Sequence, residues 1–95
     1  MAAYVIVRVE VTDRQRYKKY IEATPATITK FGGRFIARGG ETLSLEGPQE
    51  TRRVVILEFP SLERAKQWYY SDDYQAAKKI RAGAAEGEML VIDGV

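Results

Sequence analysis

The chain contains neither cysteine nor histidine. Without cysteine it has no disulfide, no thiolate nucleophile and no thiolate ligand for an iron–sulfur cluster. Without histidine it has no imidazole base, no Ser-His-Asp triad and no His-ligated zinc or haem. No remaining side chain has an unperturbed pKa near 7, so any proton transfer falls to a carboxyl, a tyrosine or a lysine shifted by its surroundings. Long apolar runs are also missing. None approaches the ~20 residues of a membrane-spanning helix, and Met1-Ala2-Ala3 leads straight into a strand pattern with no basic and apolar export segment. No membrane partner is expected, and the cytoplasm is the default compartment. Nor is there a strong charge of one sign. Fifteen Lys and Arg stand against 13 Asp and Glu, a surplus too small to indicate a polyanion partner. The densest basic stretch, Arg14, Arg16, Lys18 and Lys19, reads as the solvated face of a helix. At 95 residues a single domain over 1–95 is expected. A chain of this size buries only about two thirds of the surface it exposes when unfolded, which leaves little room for a deep cavity enclosed by one chain.

What is present has clear periodicity. Tyr4 to Val11 is β-branched and alternating, with Val5, Val7, Val9 and Val11 on one face and Tyr4, Ile6, Arg8 and Glu10 on the other. Thr12 then offers a helix cap, with Gln15 three residues on as in a capping box. Tyr17, Tyr20, Ile21, Thr24, Ile28 and Phe31 form one helical stripe. Pro25 interrupts it: either the helix kinks there, or Thr24 caps a second helix with Pro25 at its first position. Gly32-Gly33 stops the helical segment. Arg34 to Arg38 is a second strand, and Thr42 to Glu46 either continues it after a bulge or forms a short hairpin arm. Arg52 to Phe59 is a nearly continuous apolar run that predicts a central strand. Ser61 caps a helix with the apolar stripe Leu62, Ala65, Trp68 and Tyr69, and Ser71 caps another that faces Tyr74, Ala77 and Ile80 inward. Gly83 and Gly87 mark its exit, and Glu88 to Ile92 is the last strand.

Strand, helix, strand, strand, helix, strand is a split βαβ order. It predicts an α+β, ferredoxin-like fold: a four-stranded antiparallel sheet with helices on one face. Alternation assigns Val5, Val7, Val9, Phe35, Ala37, Val55, Leu57 and Phe59 to the helix-covered face. It assigns Tyr4, Ile6, Arg8, Arg34, Ile36, Arg38, Val54, Ile56 and Glu58 to the other. That second face is too apolar for water and too charged for a plain core. A second copy of the same sheet is the expected cover, which makes the chain its own partner in a homodimer, two sheets closing a barrel. Arg8, Arg34 and Arg38 against Glu58 read as paired charges at the rim of that interface. A cationic pocket for a small anion is the other reading, since the arginine fork binds carboxylates with two hydrogen bonds.

Rival motifs carry less. Asp72-Asp73 diverge on a helix and serve its first turn electrostatically. Phe31-Gly32-Gly33-Arg34 follows a helix rather than preceding one, the wrong dipole end for a phosphate loop. RNA-recognition domains share the topology, but their central strand carries a basic-Gly-aromatic pattern. Here Arg52 to Phe59 lacks the glycine and places Glu58 on the open face. No nucleic-acid partner is expected.

Several fragments together resemble a known family. They are Phe31-Gly32-Gly33-Arg34, Arg38-Gly39-Gly40, Leu45-Glu46-Gly47, Glu58-Phe59-Pro60-Ser61, Ala65, Trp68-Tyr69, and Ser71 with Tyr74. In order and spacing, from Tyr4 to Gly94, they resemble the domain of unknown function 1330 family of the dimeric α/β-barrel superfamily. One departure is Asp72-Asp73, where the family often has Pro then Glu. The resemblance implies the fold and a homodimer, and no particular reaction. The wider superfamily includes cofactor-free monooxygenases, lactone isomerases, haem-degrading enzymes and stress-responsive binding proteins; its haem branches typically use a histidine, which this chain lacks. No cofactor and no metal are expected. Two functions follow as expectations. In one, a small anionic or phenolic molecule sits between sheet and helices, held by Arg34 or Arg38 and walled by Trp68 and Tyr69. Glu58 or Tyr20 would move a proton if the chain is an enzyme, by cofactor-free oxygenation or isomerisation. In the other, the dimer is a non-catalytic structural module.

Overall fold

The computed structural model describes residues 1–95. Its elements are β1 (Ala3–Val11), α1 (Arg14–Lys30), β2 (Arg34–Arg38), β3 (Arg53–Phe59), α2 (Leu62–Tyr70), α3 (Asp72–Arg81) and β4 (Ala85–Asp93). The four strands form one antiparallel sheet in the order β2-β3-β1-β4. This is the ferredoxin-like arrangement, with the second helical segment broken at Ser71 into α2 and α3. Ser71 accounts for the break. Its hydroxyl donates to the Trp68 carbonyl at 2.6 Å and accepts from the Tyr74 N–H at 3.1 Å, so it closes one helix and opens the next. No helix is long and apolar enough to cross a membrane.

The core lies between the sheet and the helices. Val5, Val7, Val9, Val55, Leu57 and Phe59 are buried there, as alternation along β1 and β3 predicts. They meet Tyr17, Tyr20 and Ile28 of α1, Ala65 and Trp68 of α2, and Tyr74 and Ala77 of α3. Gly33 allows the close approach: a Cβ there would stand 2.5 Å from the Phe59 ring. Gly32, at φ +79°, supplies the left-handed turn that ends α1.

Local chemistry departs from the sequence pattern at five places. Asp13, not Thr12, caps α1, its carboxylate accepting from the Arg16 N–H at 3.1 Å. The N–H groups of Thr12 and Asp13 both donate to the Ala84 carbonyl, which ties the chain to the entrance of β4 and delays the helix by a residue. Pro25 does not divide α1. Threonine hydroxyls at 24, 27 and 29 bond back to carbonyls of the preceding turn through a helix that runs on to Lys30. Thr42 to Glu46 is neither strand nor hairpin arm, because its backbone and side chains are tied to Gln49 and Glu50 instead. Gly87 lies inside β4, opposite Val9, rather than before it. A Cβ at Gly87 would meet the Arg8 carbonyl at 2.3 Å, so glycine there permits close strand approach. Finally, β2 is bulged at Ile36. Phe35 pairs with Leu57, but Ala37 pairs with Ile56 and Arg38 with Val55. The extra residue resets the alternation. Ala37 therefore joins the open face, and Arg38 joins the face beneath the helices, the reverse of the assignment from strict alternation.

Candidate functional site

The bulge brings Arg38 to the rim of a cavity of about 40 Å³ between α1 and the sheet. Tyr17, Tyr20 and Thr24 line it from α1, Phe35 and Arg38 from β2, and Arg53 and Val55 from β3; Trp68 reaches it from α2. No carboxylate lines it. Two guanidinium groups therefore stand over an aromatic and aliphatic hollow with no anion to balance them. The Arg38 guanidinium lies 4.2 Å from the Phe35 ring centroid, a cation–π contact. Arg53 is the more unusual. Its Nε is buried and has no hydrogen-bond partner. Its head group lies across Gly39, whose left-handed backbone at φ +70° calls for glycine.

The tyrosines are held by a polar chain through the core. The Trp68 indole N–H donates to Thr27 Oγ1 at 3.0 Å, and that hydroxyl donates to the Thr24 carbonyl at 2.7 Å. The hydroxyls of Tyr20 and Tyr74 share a buried hydrogen bond of 2.9 Å. Burial pushes the Tyr17 phenol above its ordinary pKa, aided by Tyr20 and opposed by the charges of Arg53 and Arg81. Burial, and then the Tyr20 contact, push the Tyr74 phenol up as well.

Of the residues singled out by the sequence, Tyr20, Arg38 and Trp68 meet at this cavity. Arg34 and Glu58 do not. They are cross-strand partners on the open face, joined by an ion pair of 2.8 Å. Tyr69 lies on the far side of Trp68, its hydroxyl accepting from Lys78 Nζ at 2.9 Å, and faces a separate groove between α2 and β4. Arg53 and Tyr17 are additions. The signal for Arg53 was available: carrying the alternation of Phe59, Leu57 and Val55 one step further sets a charge on the helix-covered face.

The open face carries a second charge cluster. Arg52 binds Glu50 at 2.9 Å and Glu88 at 2.8 Å. Hydrogen bonding to Arg52 and the charges of Arg52 and Arg8 hold the Glu88 carboxyl below its ordinary pKa. No group of three or more acidic side chains stands close enough to hold a metal ion.

The class defined by this architecture is the ferredoxin-like α+β sheet with one helix-covered face. Residues 2–95 match the family described as domain of unknown function (DUF1330), and the chain belongs to that family. Solved structures with the same fold include the RPA0582 protein of unknown function from Rhodopseudomonas palustris. It is 22% identical with a TM-score of 0.78, and the match covers 99% of this chain and 82% of that one. SnoaB, a cofactor-independent oxygenase from Streptomyces nogalater, is 13% identical with a TM-score of 0.70, over 99% of this chain and 93% of its own. A dimeric protein of unknown function and ferredoxin-like fold from Bacteroides fragilis is 23% identical with a TM-score of 0.57, over 98% and 96%. No curated protein sequence matches the chain.

Proposed function

We propose that this chain is a homodimeric binding module for a small organic anion, a carboxylate or phenolate, held in the cavity between α1 and the sheet. The observation that carries this reading is Arg53, whose buried Nε has no acceptor. A buried cationic donor left unpaired costs free energy that an anionic group would recover. Guanidinium is suited to the task, since its fork meets a carboxylate with two bonds. Arg38 supplies a second donor at the rim, and Tyr17, Phe35 and Trp68 supply apolar surface for the rest of the molecule. At about 40 Å³ the hollow admits an anionic head the size of a carboxylate. A larger body enters as the exposed Arg38 side chain lifts from Phe35.

Binding fits this geometry better than turnover. Glu58 is separated from the cavity by the sheet and engaged by Arg34. The Tyr20 hydroxyl is engaged by Tyr74, and the Tyr17 phenol is shifted away from neutrality. The fold of a cofactor-independent oxygenase supports cofactor-free chemistry only by analogy of architecture. The test is ligand-induced stabilisation. Arg53→Met abolishes the rise in melting temperature produced by small carboxylates, and Arg34→Ala leaves it intact. Equal loss in Arg34→Ala would move the site to the open face.

The dimer forms through that open face. Tyr4, Ile6, Val54 and Ile56 are half-buried, and Ile36, Leu90 and Ile92 are 45%, 46% and 54% exposed. A contiguous apolar sheet face of this kind marks an interaction surface. The Bacteroides fragilis protein, described as dimeric with the same fold, supports the reading. Light scattering is expected to give twice the 10.7 kDa chain mass; a single-chain mass at micromolar concentration would contradict the reading.

A further inference from the structure

The largest hollow on the molecule is not the cavity of Arg53 but a groove of about 580 Å³ between α2 and β4. Buried Trp68 and half-buried Met89 lie at its depth, and exposed Tyr70 and Val91 at its mouth. Lys66 is the only charged residue lining it, and forms no ion pair. At the opposite edge of the sheet, the connection between β2 and β3 does the converse. It holds Leu43 and Leu45 out to solvent, 77% and 86% exposed. They are not the tips of a loose loop. The Gln49 amide donates to the carbonyls of Thr42 and Glu50 and accepts from the Ser44 N–H, while Ser44 Oγ accepts from the Glu50 N–H. The side chains of Glu41 and Glu46, on the same connection, form no ion pair.

Apolar knobs flanked by free carboxylates, and an apolar groove flanked by a free ammonium, are complementary in shape and in charge. They cannot meet within one chain, because β2 and β4 are opposite edges of the sheet. Facing two copies of the sheet about a two-fold axis parallel to the strands sets the β2 edge of one over the β4 edge of the other. We propose that the groove's occupant is a second copy of this chain: the β2–β3 connection of each protomer reaches round the partner's β4 and seats Leu43 and Leu45 between α2 and β4. The contact is isologous, two loops in two grooves, and closes the dimer. It rests on the open-face dimer proposed above and adds to it a contact outside the facing sheets.

The absence of native cysteine gives a clean test. A chain carrying Leu45→Cys and Tyr70→Cys, treated with a short bismaleimide, yields a covalent dimer on a denaturing gel. A chain carrying Leu45→Cys and Glu22→Cys, the latter on the exposed side of α1, yields little. Leu43→Ser with Leu45→Ser raises the dimer dissociation constant about tenfold or more, since two apolar side chains lose their burial. A dimer of native affinity in that double variant, or crosslinking of the first pair no greater than of the second, overturns the loop contact while leaving the sheet dimer standing. A single-chain mass for the unmodified protein overturns both.

Discussion

Arg53 and Thr27 show how single side chains define this molecule. Thr27 links α1 to α2 by accepting the Trp68 indole N–H within the core. Thr27→Val keeps the shape but strands that buried donor, and costs about 1–3 kcal/mol in denaturant unfolding; an unchanged midpoint would show that another acceptor serves Trp68. The buried phenols set the alkaline limit. Tyr17 and Tyr74 have pKa values raised in the folded state, so the stability they contribute is complete below the unfolded value of about 10 and is lost as pH rises beyond it. Melting temperature therefore falls steeply above about pH 10, and Tyr74→Phe flattens that fall. An equally steep fall in the variant would assign it elsewhere. At this scale the sequence was readable where residues follow a stripe. Tyr17, Tyr20 and Trp68 sit in the core as their helical spacing predicts. Arg53 was harder to see, because a charge at a strand's end is ordinarily solvated and only burial marks it out.

Among the elements, strand alternation and helix caps at serine were legible, and irregularities within a strand were not. Ser61 and Ser71 cap where their sequence context places them. The bulge at Ile36 leaves no mark in a five-residue strand, yet it decides which side of the sheet Arg38 serves. This is the physical reason the candidate site was only partly visible. Arg34 and Arg38, four residues apart, should share a face in a regular strand, and one inserted residue separates them. Gly87 is the parallel case in β4, a glycine that resembles a turn and instead admits a close backbone. Gly87→Ala is expected to destabilise the fold by about 1–3 kcal/mol through the clash with Arg8, read as a lower chemical-denaturation midpoint. A neutral substitution would mean the β1–β4 pair separates freely to admit a methyl group.

For the whole molecule, the sheet order follows from the succession of elements, because a split βαβ path has few ways to bury its apolar faces. What a single chain leaves uncovered then sets the next level of organisation. The helices cover one face, and Ile36, Leu90 and Ile92 remain on the other with Arg34 paired to Glu58 among them. That exposed ion pair contributes at most about 1 kcal/mol by itself; in the proposed dimer it serves register more than stability. The cationic hollow lies on the other side of the sheet from the facing-sheet interface proposed above, so Arg53 takes no part in that interface. The proposed dimer is therefore expected to persist in Arg53→Met, which would give a folded, assembled background for binding measurements.

Half-buried Arg53, with its buried Nε lacking an acceptor, is the residue proposed to define the anion site. The most direct test of that role is a thermal-shift comparison of acetate, benzoate and hydroxybenzoates with their neutral amides, on the native protein and on Arg53→Met. The carboxylates are expected to raise the melting temperature of the native protein, the amides of the same shape to leave it unchanged, and the rise to disappear in Arg53→Met. Equal stabilisation by acids and amides, or a rise that survives Arg53→Met, would contradict it.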